Sequence, residues 1–80
     1  MMAKALFVRA EWDEEAEVWV STSDDVPGLV TEAVSIEALI AKLRVMIPEL
    51  LEANGLTDLE EVPFELLTRR FETIRRRAGG

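Results

Sequence analysis

A four-residue turn signal between a strand and a helix constrains the fold of this chain more than any other feature. The signal is Val26-Pro27-Gly28-Leu29, which follows the alternating residues 17–22 and precedes apolar residues at helical spacing. Pro27 fixes its own φ and biases Val26 toward extended geometry, whereas Gly28 permits positive φ. We therefore predict a tight turn that joins a second strand to a short third strand, residues 29–32.

A hairpin is predicted ahead of this turn. Residues 5–12 are rich in strand-forming side chains, residues 13–16 are polar enough for a turn, and residues 17–22 alternate between apolar and polar. Trp12 and Trp19 flank the turn, and we expect them to meet across the hairpin, where such aromatic pairs add roughly 0.2–1 kcal/mol. Burial of these rings is favoured over stacking on a nucleic-acid base.

One long amphipathic helix is predicted next. Ser35 is a favourable N-cap, Glu37 places negative charge in the first turn, and Asn54-Gly55 is a stop signal. The apolar residues at helical spacing are Ile36, Leu39, Ile40, Leu43, Ile47, Leu50 and Leu51. Pro48 interrupts this pattern, so we expect a kink or two abutting helices there.

The segment after the helix fits two structures equally well. The two-residue period of a strand fits Val62, Phe64, Leu66 and Thr68. The spacing of one helix face fits Phe64, Leu67, Phe71 and Ile74 equally well. Pro63 is acceptable on an edge strand or in a first helical turn.

Composition and charge bound the class of protein. Eighty residues, 49% of them hydrophobic, allow a single globular domain, and the absence of cysteine excludes disulfides and thiolate chemistry. With no apolar run near the roughly 18 residues that span a membrane and no signal-peptide pattern, we expect a cytoplasmic protein without membrane association.

Charge is unevenly distributed along the chain. Residues 1–68 carry 15 acidic and 4 basic side chains, whereas residues 69–80 carry a net charge of +4. The acidic part favours a basic partner and disfavours nucleic acid.

Several classes of catalytic site are excluded by residues that the chain lacks. It has no histidine, which excludes a Ser-His pair, an imidazole base and a zinc site of the usual ligands, and its four glycines form no phosphate loop. A metal-assisted carboxylate nuclease stays conceivable from Glu11, Asp13, Glu15, Asp24 and Asp25. Because nothing selects these carboxylates as converging, we predict no enzyme activity, no cofactor and no metal.

The residues from Trp19 to Glu32, with Ser35-Ile36-Glu37-Ala38-Leu39 after them, resemble the amino-terminal domain of HicB-type antitoxins. The resemblance covers about residues 4–70 and is closest to the short HicB-like domains of unknown function. It implies an α+β fold in which a three-stranded antiparallel sheet, one long helix and a fourth strand follow in the order β-β-β-α-β, like a partial ribonuclease H fold without the nuclease site. It thus favours a strand for residues 62–70 in a domain of residues 1–70. An arginine-rich helical or frayed tail, residues 71–80, would follow.

The same resemblance implies a function by binding. In such antitoxins the domain covers the active site of a small basic RNA-cleaving toxin, and the acidic body of this chain suits such a partner electrostatically. Complete HicB antitoxins also carry a DNA-binding module after this domain. Because only about ten residues follow the last predicted strand, we expect no autorepression by this chain alone.

Our leading hypothesis is a non-enzymatic protein-binding domain that forms a homo-oligomer, a dimer or larger. The helix must share its burial with the sheet, and an oligomer interface would add to that burial. The candidate contact residues lie in and beside two acidic turns: Glu11, Asp13, Glu14, Glu15, Asp24, Asp25, Pro27 and Gly28. A structural interpretation of the same residues, as a solvated rim and a tight turn, stays open beside this one.

Two alternatives come from other classes of protein. The arginine tract could bind nucleic acid, with an affinity that falls steeply with salt, through Arg69, Arg70, Arg75, Arg76 and Arg77. The chain could instead be a structural subunit of a larger assembly with no ligand of its own.

Overall fold

Four strands and one helix form within residues 5–56 and 61–77, the part of the chain that this computed structural model describes. In chain order they are β1 (Leu6–Asp13), β2 (Val18–Thr22), β3 (Val30–Ala33), α1 (Ile36–Ala53) and β4 (Phe64–Arg69). The predicted β-β-β-α-β order is confirmed, and the segment that fitted either period from sequence forms a strand.

The strands make one mixed sheet in the order β3-β2-β1-β4. The β1–β2 and β2–β3 pairs are antiparallel, and β4 is parallel to β1. A parallel pair cannot be joined by a hairpin, and here α1 carries the chain from the β3 edge to the β4 edge. The fold is α+β, as predicted.

Asp13 organises the turn that closes the β1–β2 hairpin. Its Oδ1 accepts hydrogen bonds from the N–H groups of Glu15 and Ala16, both at 3.0 Å. The Glu17 N–H donates to the Asp13 carbonyl at 2.7 Å, and Glu17 adopts the left-handed conformation with φ of 56°. The Asp13 carboxylate therefore replaces backbone pairing where the chain reverses.

Trp12 and Trp19 lie opposite each other across this hairpin, as predicted. Their ring centroids are 5.4 Å apart with an interplanar angle of 62°, the edge-to-face arrangement that aromatic pairs prefer. The Arg70 guanidinium lies 4.2 Å from the Trp12 ring centroid in a cation–π contact. This contact holds the chain to the hairpin at the point where it leaves β4.

The helix begins and ends where the sequence predicted. The Ser35 hydroxyl accepts a hydrogen bond from the Ala38 N–H at 3.1 Å, and Asn54 caps the other end before Gly55 adopts a φ of 78°. Its buried face consists of Leu39, Leu43, Ile47 and Leu51.

Pro48 lies inside an unbroken helix, so the alternative of two abutting helices was wrong. A proline at this position deprives the carbonyl of Arg44 of its helical partner. Both Pro48 and Arg44 are exposed, so water can bond that carbonyl without a break in the helix.

The core lies between α1 and one face of the sheet. Its buried residues are Val8, Ala10, Val26, Leu29, Ala33, Leu39, Leu43, Ile47 and Leu51. Ser21 is buried beside them, and its hydroxyl donates to the Thr31 carbonyl at 3.4 Å, which satisfies a polar group in the core. Leu29, predicted as the first residue of the third strand, instead belongs to the turn before it.

The chain beyond β4 has no regular secondary structure over residues 70–77. The helical alternative for the tail is therefore wrong for these residues, and residues 78–80 of the predicted tail lie outside the described residues. Phe71 and Ile74 are 79% and 88% exposed in this segment. The described part of the chain contains no helix with the length and apolar composition that a bilayer crossing requires.

Candidate functional site

One face of the sheet is covered by α1, and no described helix or strand covers the other. Because residues directly opposite each other in neighbouring strands share a face, the register assigns every strand side chain. The uncovered side, which we call the open face, carries Phe7, Arg9, Glu11, Asp13, Val18, Val20, Thr22, Val30, Glu32, Glu65, Leu67 and Arg69.

The open face mixes apolar side chains with charges. Phe7, Val30 and Leu67 are 47%, 67% and 50% exposed, among two arginines and four carboxylates. The solvated face of an antiparallel sheet is usually polar, so large apolar side chains there need an explanation. Exposed apolar side chains interspersed with charges are typical of a protein-binding surface.

Two adjoining shallow depressions on this face share Arg9. One has a volume of about 330 Å³ and is lined by Phe7, Arg9, Asp24, Asp25 and Leu67. The other has a volume of about 250 Å³ and is lined by Arg9, Glu11, Val20 and Thr22. The Arg9 Nη2 donates to the Asp24 Oδ2 at 2.7 Å, and both side chains are exposed. Exposed ion pairs of this kind contribute about 1 kcal/mol or less, so a partner can displace either group.

Glu11, Asp24 and Asp25 are the predicted contact residues that line these depressions. Asp25 also has a structural role, because its Oδ2 accepts a hydrogen bond from the Phe7 N–H at 2.8 Å. The Ser23 hydroxyl donates to the Phe7 carbonyl, so two side chains continue the pairing of β1 past the end of β2. The loop at this end of the open face is therefore held in place.

Pro27 and Gly28 form the centre of a type II turn, which confirms the turn prediction. The Leu29 N–H donates to the Val26 carbonyl at 3.1 Å, and Gly28 has a φ of 87°. The Asn54 amide approaches the Pro27 carbonyl at 3.5 Å. The turn therefore rests on the end of α1, on the covered side of the sheet, and the structure does not bring it to the open face.

Asp13, Glu14 and Glu15 lie at the opposite end of β2 from Asp24 and Asp25. Both acidic turns were candidates for partner contact, and the structure separates them by the length of a strand. The Asp13 carboxylate is engaged in its own turn, whereas Glu14 and Glu15 are exposed.

The carboxylates considered for a nuclease are spread along the hairpin. Asp13 and Glu15 lie at one end of β2, Asp24 and Asp25 at the other, and Glu11 lies between them, opposite Val20. Among the residues that the structure describes, no group of three or more Asp or Glu side chains is placed to hold a metal ion. A carboxylate site for metal-assisted hydrolysis needs such convergence.

The arginine tract is spread over different surroundings. Arg69 lies on the open face, whereas Arg70 covers Trp12 and forms an ion pair with Glu72. The three arginines at 75–77 are exposed in the segment without regular secondary structure. The described residues therefore give no single basic surface over this tract.

Sequence reasoning missed the apolar members of the open face. Phe7 and Val30 were placed in predicted strands without an assigned face, and Leu67 was named only for the helical alternative. A signal was available, because residues 6–8 are apolar in succession and therefore place apolar side chains on both faces of β1.

Comparison with known proteins gives two matches. A family described as a domain of unknown function (DUF1902) matches residues 5–77. The crystal structure of the hypothetical protein TTHA1013 from the extremely thermophilic bacterium Thermus thermophilus is similar, with 53% sequence identity and a TM-score of 0.69. That match covers 91% of this chain and 100% of the other. No curated protein matches this chain.

Proposed function

The chain belongs to the DUF1902 family, a domain of unknown function, and on that premise we propose that it is a non-enzymatic domain that binds a basic protein. The observation that carries the proposal is the open face, where large apolar side chains lie exposed among carboxylates. Burial of apolar surface supplies most of the affinity in protein association, and the charges select the partner.

The depression between β1 and β4 is the proposed centre of the contact. Phe7 and Leu67 form its apolar part, and Arg9, Asp24 and Asp25 complete its lining. Interfaces concentrate binding energy in such central apolar positions, which become fully desolvated when a partner side chain fills them. Glu11 and Glu32 are then placed to accept hydrogen bonds from lysine or arginine on the partner.

The charge of the chain supports a basic partner. The whole chain carries a net charge of −7, and four of the six charged residues on the open face are acidic. A surface of this sign attracts basic proteins over long distances and repels phosphates.

The finer form of the proposal is a HicB-like antitoxin. The residues from Trp19 to Glu32 and from Ser35 to Leu39 resemble those of HicB-type domains, and in that hypothesis the open face covers the active site of a small basic RNA-cleaving toxin. The support is this likeness of sequence pattern, together with the β-β-β-α-β order that the resemblance implied.

The test is capture of a partner with the tagged full chain from ribonuclease-treated native extract, followed by mass spectrometry and reconstitution with the purified partner. We compare the unaltered chain with E11K/E32K, which reverses two charges on the open face. The matched control is E49K/E52K, which reverses two exposed charges on α1.

The proposal predicts a small basic protein that binds the unaltered chain and the control equally and binds E11K/E32K at least about tenfold more weakly. Equal binding by all three chains contradicts the open face as the site. Inhibition of RNA cleavage by the captured protein supports the antitoxin form, and its absence removes that form while leaving the binding proposal.

A further inference from the structure

The outer edge of β4 is free along its length. The Leu6 N–H donates to the Pro63 carbonyl at 3.0 Å, so the odd-numbered residues of β4 turn their backbone groups toward β1. The N–H and C=O groups of Phe64, Leu66 and Thr68 consequently point away from the sheet. Within residues 5–56 and 61–77, no hydrogen bond from another part of the chain reaches them.

This edge carries apolar side chains on both faces of the sheet. Phe64 and Leu66 pack at the rim of the core and remain half-buried, and Leu67 is half-exposed on the open face. The strand has a continuous register with β1 and contains neither proline nor lysine, two residues that often protect natural edges. Such an edge is a template for another strand.

We propose that β4 pairs antiparallel with β4 of a second copy of this chain, about a two-fold axis at Leu67. In this register Glu65 of each copy lies opposite Arg69 of the other, and the two Leu67 side chains meet between these ion pairs. The strand is therefore complementary to itself in charge and in apolar surface.

Other registers lack this complementarity. Side chains that lie directly opposite each other must share a face of the sheet. The two-fold axis can therefore pass only through a residue of β4 and not between two residues. An axis at Glu65 or Arg69 places like charges opposite each other. An axis at Leu66 or Thr68 places both charges opposite apolar residues of the second copy.

The backbone agrees with the axis at Leu67. Leu66 and Thr68 point outward and would exchange hydrogen bonds with each other across the two copies. The Leu67 pair and the Glu65–Arg69 pairs then fall at non-hydrogen-bonded positions, where opposing side chains approach most closely.

The dimer has one eight-stranded sheet, with both helices on one side and both open faces on the other. A pair of six-residue edges is about 20 Å long and buries less than the roughly 1,600 Å² of a standard interface. We therefore expect a dissociation constant on the order of 10 μM rather than nanomolar. This inference does not rest on the proposed function, because it needs no other protein.

A single cysteine tests the register, since the chain has none of its own. The L67C chain is expected to form a disulfide-linked dimer under mild oxidation, because Cα atoms of such a pair are about 4.5 Å apart, within the range for a disulfide. The control V45C carries its cysteine on the exposed side of α1 and is expected to remain uncrosslinked. No crosslinking of L67C, or equal crosslinking of both variants, overturns the register.

Charge exchange tests the ion pairs by sedimentation equilibrium. The single variants E65K and R69E place like charges opposite each other, so we expect about a tenfold rise in the dissociation constant for each. The double variant E65K/R69E restores opposite charges and is expected to restore the dimer. A chain that is monomeric at about 1 mM, or a double variant as weak as the singles, overturns the proposal and leaves partner capture by the open face unaffected.

Discussion

The two edges of the sheet differ in how their backbone groups are satisfied. At β3, which has four residues, the Lys42 Nζ on α1 donates to the Glu32 carbonyl at 2.6 Å. At β4, which has six residues, no described side chain reaches the outward groups. A lysine across an edge discourages the approach of another strand. The contrast teaches that a lysine guards part of one edge, whereas no described side chain guards the other.

The loops next to the two edges show the same difference. Before β3, the Ser23 Oγ accepts hydrogen bonds from the N–H groups of Asp25 and Val26 at 3.1 and 3.2 Å. Asp25 in turn accepts from the Phe7 N–H, so side chains tie this loop to β1. After β4, the Arg70–Trp12 contact fixes the chain, and residues 71–77 are exposed beyond it.

A pair of proline substitutions gives the largest predicted effect and tests which way each backbone group of β4 points. L67P removes an N–H that pairs with β1 and is expected to lower the free energy of unfolding by about 3 kcal/mol. T68P removes an outward N–H, so we expect it to cost less than about 1 kcal/mol and to abolish the dimer. Urea unfolding and sedimentation of both variants measure these effects. Equal destabilisation would show that the assignment of inner and outer residues is wrong.

The loop before β3 gives the next largest effect. S23A removes a hydroxyl that caps two N–H groups and donates to the Phe7 carbonyl, so we expect a loss of about 1–2 kcal/mol in the free energy of unfolding. T73A, in the segment without regular structure, is the control and is expected to change stability by less than about 0.5 kcal/mol. Thermal unfolding of the two variants checks this prediction. An S23A chain as stable as the unaltered chain would mean that the loop does not depend on Ser23.

The smallest effect on stability is predicted at the β3 edge. K42M removes the bond to the Glu32 carbonyl, and because this group is exposed we expect a loss of less than about 1 kcal/mol. We expect assemblies larger than a dimer at high concentration, since both edges are then free. K42R keeps a cation at the edge and serves as the control in light scattering. Identical particle mass for both variants would argue that Lys42 does not protect β3.

The local elements of the fold were predictable because their signals are local. Ser35 and Asn54 mark the ends of α1 through their own capping bonds, and Pro27-Gly28 specifies the turn through backbone angles. Trp12 and Trp19 were paired correctly because a hairpin fixes which residues oppose each other. Pro48 suggested two abutting helices, but its effect depends on its position around α1. Because it lies on the exposed side, water can bond the carbonyl that the proline leaves without a partner.

The candidate site was only partly predictable because it depends on pairing between distant segments. Arg9 and Glu11 are two residues apart in a strand and therefore share a face, but the position of Leu67 beside them follows from the parallel β1–β4 register. The sequence also grouped Glu14 with Asp24 by charge, and the structure separates them because the hairpin places their turns at opposite ends of β2.

The edge-to-face tryptophan pair makes the hairpin its own optical reporter. The chain has two tryptophans and no tyrosine, so its intrinsic fluorescence arises from this one pair. Circular dichroism at the helical band follows α1 instead, and the two signals thus observe different parts of the same domain. Coincident melting curves would identify a single cooperative unit. A change in tryptophan fluorescence at a lower temperature than the loss of the helical signal would show that the hairpin opens first.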